Sequence, residues 1–263
     1  MLLVEKWHAA IESRHSTRTY NGQPMPGHIL EQMEQVCRDF RPSDSVRAKL
    51  VVKPDTRVFK GILGGYGKVK DAPAYVAFIG NLKAANVQKM IGYLGEGIIL
   101  EATALGLATC WVGGFFRRQV VEDEIALAGD EHIFAVTPLG YPAAKDTFND
   151  KLMRGFRKHK PRKSLDDLVS GLEPGDWPEW MKAGLMAARL APSAMNRQPW
   201  RFHVEPQSVT LSLDNRRDIL PVSKHLDCGI AMLHFELGAL STGGAFERQL
   251  LTSPKVAKFS VQV

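Results

Sequence analysis

The chain is poor in several features that would place it in a known class at once. Its 263 residues include 3 cysteines, Cys37, Cys110 and Cys228. The odd count and the lack of any C-x-x-C spacing argue against a disulfide scaffold or a zinc site, and a reducing compartment fits best. No window holds the roughly 20 uninterrupted apolar residues that a membrane-spanning helix needs. Residues 1–16 carry Glu5, Lys6, His8, Glu12 and Arg14 and lack the apolar centre of a signal peptide. A cytoplasmic protein with no membrane partner is therefore expected. The 8 histidines form no H-E-x-x-H or similar metal-binding spacing. The glycine-rich run from Gly61 to Gly67 contains neither G-x-G-x-x-G nor a Walker lysine–hydroxyl pair, which excludes Rossmann and P-loop readings. It reads as a connection leading to a strand.

What is present is ordinary for a globular protein. Apolar residues make up 44% and charged residues 24%, and the length allows one large domain or two small ones. The formal charge of +6 suits nucleic acid or an anionic cofactor. Apart from 154–163, the basic residues are dispersed. No helix-turn-helix, finger or aromatic platform accompanies that cluster, so no nucleic-acid partner is expected; such binding would weaken steeply with salt. Apolar periodicity predicts helices over 4–11, 29–40, 90–107 and 180–190. It predicts strands over 50–53, 74–79 and 133–139, with another starting at Trp200.

Three stretches carry chemistry. In 191–202, A-P-S-A-M-N-R-Q-P-W-R-F, Pro192 and Pro199 push Ala191 and Gln198 toward extended backbone. Asn196 and Gln198 each present a donor and an acceptor, which suits the edge of a flat heterocycle. A helix-to-strand connection would use the same residues. In 13–20, Arg14, His15, Ser16 and Arg18 are phosphate-binding groups; a solvated basic helix end would look the same. Gly113 and Gly114 lie in a turn where the absence of a Cβ permits close approach to a ligand, or merely a turn.

These residues resemble the FMN-dependent nitroreductase family. The stretch 191–202 matches its A-P-S-x-x-N-x-Q-P-W-R-F loop. Arg14, Ser16, Arg18 and Tyr20 match R-R-S-x-R-x-[FY], with His15 in place of the second arginine. Residues 105–111 resemble the family's central helix and following strand, and Gly140-Tyr141-Pro142 its G-x-P. Residues 160–168 resemble its closing basic segment. The resemblance implies an α+β fold: a nitroreductase-like three-layer α/β/α sandwich with mainly antiparallel sheets. It implies that FMN phosphate is held by Arg14, His15, Ser16, Arg18, Lys160 and Arg162. The flavin ring would be held by Pro192, Ser193, Asn196 and Gln198, with Lys68, or equally Lys70, near its pyrimidine end. A Gly113 N–H would face N5, with Gly114 beside it. The implied activity is hydride transfer from NADH or NADPH to a nitroaromatic, quinone or similar acceptor, without a protein acid, nucleophile or metal. A flavin-binding protein without turnover has the same signature.

The family's loop ordinarily follows the first core helix, whereas here it lies in the last third of the chain. An internal duplication accounts for this. Gly97 to Gly106 echoes Gly229 to Gly238 at an offset of 132 positions, Gly113-Gly114 echoes Gly243-Gly244 at 130, and Pro42-Ser43 echoes Pro192-Ser193 at 150. Residues 1–168 keep the phosphate motif and have lost the loop; residues 169–263 keep the loop and lack the motif. A fused pseudo-dimer of two pseudo-repeats in one compact unit, with one composite site, is expected. It would be a monomer or a weak homo-oligomer.

Overall fold

The computed structural model describes residues 3–60, 69–143 and 161–261. In chain order, the elements among these are α1 (Val4–Ser13), α2 (Gly27–Asp39), β1 (Val46–Val52), β2 (Ala74–Asn81), α3 (Val87–Ala104), β3 (Ala108–Thr109), α4 (Arg118–Glu124) and β4 (Glu131–Gly140). They continue with α5 (Leu165–Leu168), β5 (Val169–Gly171), α6 (Glu179–Arg189), β6 (Trp200–Glu205), β7 (Ser208–Leu213), α7 (Lys224–Ser241), β8 (Glu247–Leu250) and β9 (Lys255–Ser260). This is an α+β chain with mainly antiparallel sheets. Among the described residues no helix is long and apolar enough to cross a membrane, and Cys37, Cys110 and Cys228 are free and buried.

The chain divides into two compact units, one of Ser13–Ala84 and Ile98–Pro161, the other of Met1–Glu12, Ala85–Gly97 and Arg162–Val263. The expected division at 168 falls close to the break at Arg162. However, α1 and the start of α3 group with the C-terminal residues.

The unit containing Ser13–Ala84 holds an antiparallel sheet in the order β1-β2-β4-β3. β2 is buried over Ala74–Gly80, as its run of apolar residues requires when both faces of a strand are covered. The phenol of Tyr75 donates to Glu124 at 2.7 Å. That bond satisfies a polar tip that would otherwise be costly within the cluster of Val58, Ile79, Val121 and Ile133.

The other unit holds the order β5-β6-β7-β9-β8. β5 runs parallel to β6 and the remaining pairs are antiparallel. The long α7 is buried through most of its length. The Ser223 hydroxyl accepts from the N–H of His225 at its start, satisfying a donor that the first turn leaves open. Phe235 on α7 stacks with Phe202 of β6 and meets Phe259 of β9, which fixes the helix across the sheet. A Cβ at Gly184 would strike Phe235 and one at Gly238 would strike the Ala183 carbonyl, so these glycines set the α6–α7 distance.

With β5 and the short α4 between β3 and β4 set aside, both halves run helix–strand–strand–helix–strand–strand, counting α2, β1, β2, α3, β3, β4 against α6, β6, β7, α7, β8, β9. Both sheets place the first strand at an edge, then the second, fourth and third. Local details repeat as well. Pro26 and Pro178 precede α2 and α6 with nearly the same backbone angles. α2 ends at Asp39 and α6 at Arg189, in agreement with the offset of 150.

The central helices correct the other two offsets. α3 and α7 both have 18 residues, and Val87 to Lys224 and Ala104 to Ser241 are each 137 positions. Gly106 and Gly243 have φ of 77° and 79°. The Gly106 N–H donates to Thr103 and the Leu107 N–H to Ala102, as Gly243 does to Leu240 and Gly244 to Ala239. This is the same left-handed helix stop. Gly243 is thus the counterpart of Gly106 and not of Gly113. The sequence echoes matched glycines of similar spacing in registers five residues away for Gly97 to Gly106 and seven for Gly113-Gly114.

Candidate functional site

After α1 ends at Ser13, residues 14–20 leave the helix as a strap tied to the sheet by isolated bridges. The Thr17 N–H donates to Thr109 at 2.8 Å, the Lys70 N–H to Arg18 at 2.8 Å, and the Tyr20 N–H to Lys70 at 3.0 Å. Tyr20 is buried, its hydroxyl donating to the Thr17 carbonyl at 2.9 Å; burial pushes its phenol well above the usual range. The chain therefore engages its backbone with the sheet edge and with Lys70. Arg14 and Arg18 are half-buried and Ser16 is exposed. His15 is also exposed, with Nδ1 3.0 Å from the Ser13 carbonyl.

In the same unit, Val112 exchanges two backbone bonds with Val136, at 2.9 and 3.0 Å. The chain then bends at Gly113 and Gly114. The turn starts from a fixed point on the sheet, as close backbone approach to a ligand requires. Lys68 and Lys160 lie outside the described residues, as do Gly61 to Gly67 and most of the basic cluster.

The loop between α6 and β6 belongs to the other unit. It occupies 190–199, whereas its counterpart between α2 and β1 occupies 40–45. The extra length holds a single 3₁₀ turn, Ala194–Asn196. Met195, Asn196 and Gln198 all have positive φ, at 53°, 51° and 48°. Left-handed backbone at a residue with a Cβ costs about 1–2 kcal/mol, so the conformation must be held from outside.

The ties are dense. The Ser193 hydroxyl accepts from the Gln198 N–H at 2.9 Å. The Gln198 side chain accepts from the Lys163 N–H at 2.8 Å and donates to the Asn196 carbonyl at 3.2 Å. Arg162 donates to the carbonyls of Leu190 and Ala191, where α6 leaves acceptors open. Arg189 donates to the Lys163 carbonyl at 2.8 Å. Asp227 accepts from the Ala194 N–H at 3.1 Å and from Arg197 at 2.6 Å.

Within this unit the structure thus brings together Pro192, Ser193, Asn196, Gln198 and Arg162. Two of them do work that sequence did not suggest. Gln198 is buried, with its amide engaged by the backbone of Lys163 and of Asn196, and Arg162 caps α6. Asn196 is half-buried and Met195 exposed. Sequence reading missed Asp227, Arg197, Arg189 and Lys163. A signal existed for Asp227: it is an acid in the first turn of a mainly apolar helix, where a buried charge needs a partner.

A family model described as "Putative TM nitroreductase" matches residues 6–239. A crystal structure of a protein from Thermotoga maritima, described as a putative nitroreductase, is 20% identical with a TM-score of 0.65; the match covers 97% of this chain and 94% of that one. A Clostridium difficile nitroreductase family protein is 20% identical with a TM-score of 0.46, covering 65% of this chain and 98% of that one. A Bacteroides fragilis nitroreductase with bound FMN is 18% identical with a TM-score of 0.43, covering 52% and 89%. Comparison with curated proteins gives no match. The family match spans most of the sequence and the Thermotoga maritima fold most of the structure, and the chain belongs to the nitroreductase family.

Proposed function

We propose that the chain binds FMN and acts as an FMN-dependent oxidoreductase, carrying hydride from NADH or NADPH to a nitroaromatic, quinone or similar small acceptor. One observation carries the reading. A loop with the family's flavin signature is held in a conformation containing three left-handed non-glycine residues. Backbone strain of this kind persists where surrounding structure enforces it, and it gathers at ligand sites.

The donor set fits the cofactor. Arg14, Ser16 and Arg18 offer two guanidiniums and a hydroxyl within five residues, a combination suited to a phosphate dianion. Asn196 and Ser193 offer paired donors and acceptors suited to the edge of an isoalloxazine. Gly113 offers backbone N–H without a Cβ. When bound, FMN supplies the two-electron chemistry. The protein's share is to neutralise the phosphate, fix the ring edge and leave a face open to donor and acceptor. Gln198 and Arg162 serve this indirectly, by holding the loop.

The duplicated topology supports one such site per chain. We infer that the halves descend from one nitroreductase-like repeat, and that each has kept the part of the site the other has lost.

The test is anaerobic mixing of the FMN-loaded protein with NADH or NADPH. One of the two is expected to bleach the flavin band, and a quinone or nitroaromatic to restore it. A band that neither donor bleaches contradicts an oxidoreductase and leaves a flavin-binding protein.

A further inference from the structure

We propose that Asp227 is a positioning residue for the flavin loop, gripping it on both sides of Met195 and Asn196 and so setting where the Asn196 amide is presented. This rests on the FMN reading above. One oxygen of the carboxylate accepts from the Ala194 N–H at 3.1 Å and the other from Arg197 Nε at 2.6 Å. Residues 194 and 197 are the flanks of the left-handed pair. A single side chain on α7 therefore closes a bracket around the two residues whose backbone is least favourable.

The alternative is an ordinary buried ion pair that merely stabilises the unit. Magnitudes argue against it. The side chain of Asp227 is 2% exposed and that of Arg197 13%. Desolvating two charges offsets most of their attraction, so a buried pair adds little net stability over apolar packing. What such a pair does supply is direction, because charged hydrogen bonds tolerate few geometries. Arg197 is itself directed, donating to the Val222 carbonyl at 2.8 Å with Asp218 at 3.8 Å. The Arg197 N–H also donates to the Ala194 carbonyl at 3.1 Å, a bond within the loop itself, while the ties through Ser193, Gln198 and Lys163 are made around Gln198.

The same helix provides a control. Glu236 is also buried and paired, with Arg248 at 2.7 Å and Tyr93 at 2.6 Å, and these partners lie away from the loop. Asp227→Asn keeps the shape and an acceptor for Ala194 but loses the charged bond to Arg197. In the protein without FMN, amide exchange over 193–198 is expected to quicken about tenfold, and FMN affinity to fall about tenfold with a changed visible band, since one charge-assisted bond is worth this much. Arg197→Gln removes the other half and is expected to do the same, which keeps the test decisive should the Asn variant fold poorly. Glu236→Gln is expected to lower the melting temperature while leaving loop exchange and FMN affinity unchanged. Unchanged exchange and affinity in both loop variants, or an equal loss in Glu236→Gln, would overturn the proposal. Wild type that takes up no FMN would instead sink the functional reading, and the exchange measurement would still report on the bracket.

Discussion

Burial works on Asp227 in two opposed ways. It raises the cost of the charge, pushing the carboxyl up to about 6 despite the guanidinium of Arg197 and the Ala194 N–H. It also removes competing water, so the bonds that remain hold their direction. The first effect has a consequence for stability. An unfolded aspartate titrates near 3.9, so between about pH 4 and 6 the folded chain holds a proton that the unfolded chain has released. Linkage then makes this residue's contribution fall as pH rises through that window, by about 3 kcal/mol in total. Denaturant unfolding of wild type and Asp227→Asn at pH 4 and pH 7 checks the sign. The wild type should lose ground to the variant as pH rises, and a difference that stays flat or reverses would contradict the raised titration.

At this scale the sequence was readable for residue type and less so for direction. Asn196 and Gln198 look alike as amides between two prolines. Only the fold turns Gln198 inward, because its left-handed backbone aims the side chain at Lys163 and the Asn196 carbonyl. Arg162 was expected at the phosphate because 160–168 resemble the family's closing basic segment; its guanidinium donates to carbonyls at the end of α6. Asp227 lies 30 positions beyond Arg197, and no local pattern joins them.

Between elements, the closest approach on which the C-terminal unit depends is the crossing of α3 and α7. A Cβ on Gly92 would overlap the carbonyl of Leu226, and one on Gly229 the carbonyl of Lys89. The relation is reciprocal, since Gly92 and Lys89 stand at the same 137-position offset from Gly229 and Leu226. Backbone carbonyls cannot swing aside like a side-chain end, so the helices must separate. Gly92→Ala and Gly229→Ala are each expected to destabilise by about 3 kcal/mol, at the severe end for overpacking, in thermal or denaturant unfolding. Gly175→Ala, with open space around it, should stay within about 0.5 kcal/mol. Equal behaviour of all three would mean that the crossing is not close.

The elements bounded by strong punctuation were legible. Pro192 and Pro199 delimit the loop, and apolar periodicity located α2, α3, α6, β2 and β4 to within a few residues. β8 was not predicted, because its exposed and half-buried residues alternate around Arg248 and Gln249 and carry little apolar signal. The recurring order of elements was legible in outline only: glycine spacing suggested it, but helix bounds and the paired stops at Gly106 and Gly243 were needed to set the register in which the two halves correspond.

For the whole molecule, the repeated strand order and the complementary losses of motif carry the functional account. A repeat that had kept both halves of its chemistry would carry two flavins. The loop between α2 and β1 is shorter and lacks the Asn and the Q-P-W, and residues 169–263 contain no R-x-S-x-R; on the proposed reading, ring contacts would come from one half and phosphate contacts from the other. Nothing in composition or charge would have revealed this; it follows from setting the two halves side by side.

The most direct test is a titration of the flavin-free full-length protein with FMN, followed by fluorescence quenching. The account predicts saturation at one FMN per chain, with affinity lowered at least about tenfold both by Arg18→Ala and by Asn196→Ala. Saturation at two FMN per chain, or a loss of affinity in only one of those variants, would contradict it.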